Sequence, residues 1–409
     1  MQAAKMQMRM RERRLPIRRG CGHGSVGGYS GARRQPALIH EQRQMDMDFS
    51  RLQASSKIGD DWVYPQPPCL NFGWLEVDRD PAHRIYWEEY GNPAGEPVMF
   101  LHGGPGGACA PVMARFFDPK RYRVILFDQR GCGKSEPTVA SAGPAVALSK
   151  NTTADLIGDV EKLREELEIA GPMHVFGGSW GSTLAMAYAI AHPAHTASLI
   201  LRGIFLGAPE DLLYLYQGNA ATWDADPYGL TEPGAYMKYP AEWAELLSLL
   251  TADERKDVMK SYKAIFDMVP ATAAEKERQL KAALTWSLWE GVISNMIPET
   301  ADTGKFGEAD FALSFAQIEA HYFANELFLP AGHFFDNIAT LAGIPVHIVH
   351  GRFDEVCPLT QASRLVEALH DAGGAPATYV VTNAGHSAME RENALALTAI
   401  MDGLAPIAG

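Results

Sequence analysis

From about residue 70 onward, short β-rich apolar runs alternate with segments of helical period, and this alternation limits the fold more than any other feature of the chain. The runs are PVMFLHGG (97–104), YRVILFDQRG (122–131), MHVFGGS (173–179), ASLILRG (197–203), PVHIVHG (345–351) and ATYVVTNAGH (377–386). Strands separated by helices pair in parallel, so the pattern predicts an α/β fold: a mostly parallel sheet flanked by helices. Each run ends in Gly, Asp, His or Ser. Polar chemistry therefore gathers at the carboxyl ends of buried strands, where open α/β sheets bind ligands.

Between strands, NTTADLIGDVEKLREELEIAG reads as a packing helix: Leu156, Val160, Leu163 and Leu167 form one stripe, Thr152 or Thr153 can cap its start, and Gly171 can close its end. From about 206 to 335 the β pattern stops and aromatic-rich helical segments follow. We therefore expect an α/β catalytic domain formed by 61–205 and 336–409, interrupted by an all-helical cap domain at 206–335, with 1–60 as a basic, disordered extension. Residues 1–43 carry net +8 and the remainder −21 of the total −13. The acidic body argues against nucleic acid as a partner. The arm lacks the apolar core of a secretory signal, no apolar run reaches membrane-spanning length, and Cys21, Cys69, Cys109, Cys132 and Cys357 show no disulfide or metal spacing. These features predict a cytoplasmic protein with reduced thiols and no membrane partner, and leave the oligomeric state open.

GGSWG (177–181) matches G-x-S-x-G directly after an apolar strand and before the helical run TLAMAYAIAH. In that context the glycines form a sharp strand-to-helix turn that exposes the hydroxyl of Ser179 as a nucleophile. A serine needs a base, and the base needs an acid. Asp354 follows one later strand in VHGRFDEVCP, with Glu355 beside it as a competing acid, and His386 follows the next in TNAGHSAME. The order Ser, Asp, His suits a nucleophile elbow on a shared sheet. His102, His350 and His370 are weaker candidates, without a matching acid. LHGGPGG (101–107) can offer the Gly104 N–H to a developing oxyanion beside the N–H of Trp180. FDQRGCGKS (127–135) ends like a phosphate loop, but Asp128 stands where that motif needs glycine, so a supporting loop is the better reading.

WSLWEG (286–291) and FAQIEAHYF (315–323) place Glu290 and Glu319 on apolar helical stripes, where a carboxylate is costly unless it is paired, hydrogen-bonded or protonated. A salt bridge to Lys or Arg is the plain structural explanation. Taken in order, HGGPGG, DQRGCGKS, GGSWGSTLA, LRGIF, HGRFDEVCP and AGHSA resemble the prolyl aminopeptidases (proline iminopeptidases) of the α/β-hydrolase superfamily, from about residue 64 to the C-terminus. The resemblance implies peptides with N-terminal proline as substrates and no metal or organic cofactor. It further implies that Glu290 and Glu319 bind the substrate's free amino group, and that Phe205 and Phe323 enclose the proline ring. Ala320 stands where the family commonly has Asn, and 224–250 fits the family poorly. The alternative is an esterase, lactonase or amidase of the same superfamily acting on a neutral acyl group.

Overall fold

The computed structural model describes residues 62–226, 232–297 and 304–407. The basic arm, with Cys21, lies outside them. Among the described residues, eight strands form one sheet in the order β1-β2-β4-β3-β5-β6-β7-β8. They are β1 (Cys69–Arg79), β2 (Ala82–Gly91), β3 (Glu96–Leu101), β4 (Tyr122–Phe127), β5 (Met173–Ser179), β6 (Thr196–Ile204), β7 (Val346–Gly351) and β8 (Thr378–Thr382). All six runs read from the sequence are strands, and β3 to β8 pair in parallel. The antiparallel pairs β1–β2 and β2–β4 add an edge that the sequence reading did not assign. Most of β1 is exposed, so it lacks the continuous apolar run that marks a strand buried on both faces.

Side chains alternate between the two faces, as the two-residue strand period requires. Met99, Leu101, Ile125, Phe127 and Leu201 join one core, while Val98, Phe100, Val124, Leu126, Phe176 and Ile200 join the other. Numbering only helices of eight or more residues, α1 (Thr153–Glu166) packs its stripe Leu156, Val160 and Leu163 into the first core. Thr152 caps it and accepts from the Asp155 N–H, while Asp155 reaches back. Gly171 does not end this helix: it stops at Glu166, and Glu168 then turns the chain with φ 54°. The next helix, α2 (Trp180–Ala191), is almost wholly buried.

Among the described residues, only helices lie between β6 and β7: α3 (Pro209–Tyr216), α4 (Pro240–Ser248), α5 (Val258–Asp267), α6 (Ala273–Ile293), α7 (Ala309–Ala324) and several single turns. The poorly matching stretch supplies α4, whose Trp243 packs 5.3 Å from Trp289 of α6. After β7 come α8 (Leu359–Asp371) and α9 (Arg391–Gly403). Cys69, Cys109, Cys132 and Cys357 are free thiols. No helix among the described residues is long and apolar enough to cross a membrane.

Helix α2 can approach the sheet only because its crossing point lacks a side chain. A Cβ on Gly181 would fall 2.1 Å from the Leu101 carbonyl oxygen, whereas one on Gly158, mid-way along α1, would meet nothing within 4 Å. Gly181→Ala should therefore lower stability by about 1–3 kcal/mol through overpacking, and Gly158→Ala should raise it by about 0.5–1 kcal/mol through helix propensity. Urea unfolding midpoints of the two variants, moving in opposite directions from wild type, check both.

Candidate active site

Strand β5 delivers Ser179 to the carboxyl edge of the sheet, and α2 starts at the next residue. Ser179 sits at φ 59°, ψ −130°, a left-handed conformation that non-glycine residues rarely adopt and that turns its side chain out of the strand direction. Such strain persists only where packing holds it in place. Ser179 and His386 line the same cavity, of about 810 Å³.

The loop after β8 carries His386, and its Nδ1 stands 2.8 Å from Asp354 Oδ2. Asp354 follows β7, and its other oxygen, Oδ1, accepts from the backbone N–H groups of Val356 (3.0 Å) and Cys357 (2.8 Å). Gly203, at φ +55°, leaves room for this pair: a Cβ there would lie 3.1 Å from His386 Nδ1 and 3.2 Å from Asp354 Oδ2. Burial pushes the Asp354 carboxyl up, but the charge and hydrogen bond of His386 outweigh it and hold it below its ordinary 3.8. Burial depresses His386 below 6.5 more than Asp354 raises it. A neutral imidazole with Nδ1–H on Asp354 leaves Nε2 free to take a proton. Glu355, the competing acid, turns away to accept from Tyr214 Oη (2.7 Å) and Lys238 Nζ.

Two further residues support this pair. His350, a weaker candidate in the sequence for want of a matching acid, lies in β7 with its Nε2 3.7 Å from Asp354 Oδ2. Its Nδ1 accepts from the Ile204 N–H (3.1 Å), so Nε2 carries the hydrogen and donates to the Cys357 carbonyl (2.8 Å). Arg202 of LRGIF donates from Nη1 to the His386 carbonyl at 2.7 Å, anchoring the loop that holds the imidazole.

Gly104, at φ +117°, and Gly103 line the cavity beside Ser179. Trp180 is the first residue of α2, where backbone N–H groups have no intrahelical acceptor. A chain of buried hydrogen bonds joins the two elements. Trp180 Nε1 donates to Gln129 Oε1 (2.9 Å), and Gln129 donates from Nε2 to the His102 carbonyl (2.9 Å) and from its backbone N–H to His102 Nε2 (2.9 Å). His102 Nδ1 then carries the proton and donates to the Gly103 carbonyl at 2.9 Å. The loop after β4 is therefore a strut: Asp128 accepts the Cys109 and Lys134 N–H groups at 2.7 and 2.8 Å.

Glu290 of α6 and Glu319 of α7 are buried. Among the described residues neither forms an ion pair with Lys or Arg, so the alternative of a salt bridge is not what holds them. Tyr216 Oη donates to Glu290 Oε1, and Trp286 Nε1 donates to Glu319 Oε2 at 2.6 Å, leaving Glu319 Oε1 without a partner. Burial raises both carboxyl pKa values, and the neighbouring Glu290 charge raises that of Glu319 further. Glu290 lines the cavity with Ser179 and His386, whereas Glu319 does not. Phe205 and Phe323 stand edge to face with centroids 5.9 Å apart, and Phe323 lies 6.0 Å from Tyr216. They are likewise absent from the cavity lining, whose residues from the insertion include Phe306, Phe311 and Phe315. Tyr216 and Trp286, stacked 4.0 Å apart, are the carboxylate partners the sequence reading missed. Trp286 was legible four residues before Glu290; Tyr216 carried no motif.

A family model for the α/β-hydrolase fold matches residues 96–392. The chain is 41% identical over 329 residues to a probable proline iminopeptidase of Leptolyngbya boryana, covering 80% of this chain and 92% of the relative. It is 40% identical over 347 residues to a proline iminopeptidase of Xylella fastidiosa, covering 83% and 98%. A proline iminopeptidase of Arabidopsis thaliana is 41% identical over 311 residues, covering 76% and 73%. With the hydrolase sheet, the strained serine and its neighbouring acid and imidazole in view, these likenesses establish that the chain belongs to the proline iminopeptidase family of α/β hydrolases.

Proposed function

We propose that the protein releases N-terminal proline from peptides through an acyl-enzyme on Ser179. The observation that carries this reading is the buried carboxylate pair Glu290–Glu319, which has no Lys or Arg counter-ion among the described residues, while Glu290 shares a cavity with Ser179 and His386. Burial and proximity keep this pair from carrying its full negative charge until a cation arrives, and the protonated secondary amine of an N-terminal proline is such a cation. The aromatic lining suits the pyrrolidine ring, and Phe323, backed by Phe205, packs on the Tyr216 that orients Glu290.

With the amine held, Ser179 Oγ attacks the proline carbonyl as His386 Nε2 takes its proton, and Asp354 stabilises the imidazolium. The tetrahedral oxyanion accepts from the N–H groups of Gly104 and Trp180. His386 returns the proton to the leaving amine, the C–N bond breaks, and the shortened peptide departs. Water, deprotonated by the same imidazole, then attacks the acyl-enzyme and frees proline.

Ser179→Ala should reduce proline release by at least about 10³-fold while circular dichroism and thermal midpoint stay near wild type. Retained turnover in that variant would remove Ser179 from the mechanism. Glu290→Gln and Glu319→Gln should each cost about 2–5 kcal/mol in kcat/KM for a proline anilide, because a charge partner is lost, while a neutral ester loses far less. Equal losses on the two substrates would end the amine-anchor role.

The pH dependence separates the carboxylates from the imidazole. Lowering the pH through the raised Glu290 pKa, about 7, protonates the pair and discharges the amine site. Glu319 is displaced in the same direction. His386 titrates below its ordinary 6.5 and so stays a base to lower pH. For the proline anilide, kcat/KM should fall as pH drops through about 7, and for the neutral ester only at lower pH. Parallel pH profiles with coincident acid limbs would contradict this assignment.

A further inference from the structure

At the end of the strands opposite Ser179, three side chains with metal-binding donors converge. Helix α1 contributes Glu161, His192 follows the last residue of α2, and His195 ends the single turn Pro193–His195 that feeds β6. One donor atom from each lies within 4.8 Å of the others, and no other group of three His, Cys, Asp or Glu among the described residues does the same. Glu161 Oε2 stands 3.0 Å from His195 Nδ1 and 3.9 Å from His192 Nδ1. The imidazole rings are parallel within 4°, with centroids 5.8 Å apart.

We propose that Glu161, His192 and His195 bind a Zn²⁺ ion. Zinc bonds of about 2.0–2.1 Å in a tetrahedron set donor atoms about 3.3 Å apart, a spacing that the 3.0 and 3.9 Å separations bracket. His195 Nδ1 supplies an independent observation: it is buried and makes no aligned hydrogen bond despite its closeness to Glu161. A ring nitrogen left without an aligned hydrogen bond beside a carboxylate is available to a metal ion. The remaining contacts fix the carboxylate in place. Arg164 donates to both Glu161 oxygens at 3.0 and 3.1 Å, and Tyr188 Oη donates to Oε1 at 2.6 Å, outer partners of the kind that orient metal ligands.

A simple ion pair explains the cluster poorly. Arg164 and Tyr188 already satisfy the Glu161 carboxylate, so the two imidazoles are not needed to balance its charge. Two imidazole nitrogens and one carboxylate oxygen suit a borderline-soft divalent ion rather than Mg²⁺ or Ca²⁺, which prefer all-oxygen shells. Three protein ligands leave a fourth position for water. The side chains are partly exposed, Glu161 at 15% and the histidines at 32% and 33%, so the ion can enter from solvent. Once bound, it ties α1 to the turn between α2 and β6, far along the strands from the serine, and acts on stability rather than on chemistry.

The full chain, stripped with chelator, is titrated with ZnCl₂ by calorimetry and separately with Co²⁺ as a spectroscopic probe. We expect one Zn²⁺ per chain, a rise in thermal midpoint of several degrees, and a visible Co²⁺ band of tetrahedral intensity. His195→Ala and His192→Asn should each weaken binding at least about tenfold and remove the band, with the metal-free midpoint near wild type. If His195→Ala folds poorly, His192→Asn alone carries the test. Absence of stoichiometric binding, or binding and a Co²⁺ band that survive in the folded variants, overturns the proposal. Neither readout depends on peptidase activity, so failure here is distinct from failure of the proposed function.

Discussion

The left-handed backbone at Ser179 is the constraint around which the site is arranged. A serine in that region costs about 1–3 kcal/mol, so the surrounding structure must hold it. Here β5 and α2 are both buried around it, and Gly177 and Gly181 let the two elements meet at backbone contact distance. The same turn puts Trp180 at the head of α2, and its indole reaches Gln129, then His102, then the Gly103 carbonyl. A distortion of the turn would therefore be felt in the glycine loop that faces the serine, because Trp180, Gln129 and His102 are all buried.

The helical insertion solves a different problem, the burial of two carboxylates side by side. Desolvation alone raises their pKa values, and proximity adds to it for Glu319. The Tyr216 hydroxyl and the Trp286 indole each satisfy one oxygen, but neither supplies charge. These aromatic donors also stack on each other, and Tyr262 and Phe266 of α5 pack on Trp286. The positions of Glu290 and Glu319 are thus set by an apolar layer that gains from burial, against the electrostatic cost of what it carries. The segment that departs from the family pattern meets the helix that carries Glu290 through Trp243, which packs on Trp289 of α6.

Much of this was legible because buried parallel strands write themselves as continuous apolar runs, and because the residues that end them are chemically conspicuous. The hairpin β1–β2 escaped because its exposed face mixes Asn, Gly and Glu with apolar residues, which dilutes both strand templates. Gly171 misled for a local reason: Glu168 adopts the left-handed turn that a glycine usually provides, three residues earlier. His350 could not be read as a partner of Asp354, since their contact depends on how the loop after β7 folds back. Phe205 and Phe323 pack on each other, while the aromatic residues of the insertion that line the cavity include Phe306, Phe311 and Phe315.

Asp354, the acid read from the sequence, and its neighbour Glu355 both follow β7, and the turn there sends them to different partners. Asp354 caps its own turn: Oδ1 takes the N–H groups two and three residues on, which is the natural reach of an aspartate and not of a longer side chain. That anchoring leaves only Oδ2 to meet His386 Nδ1, with His350 stationed on the same oxygen. Glu355, one residue later and one methylene longer, is carried outward to Tyr214 and Lys238 of the insertion. Adjacent acids thus divide between two tasks by side-chain length. The shorter one fixes the imidazole on the sheet, and the longer one ties the helical layer to the loop that carries the acid.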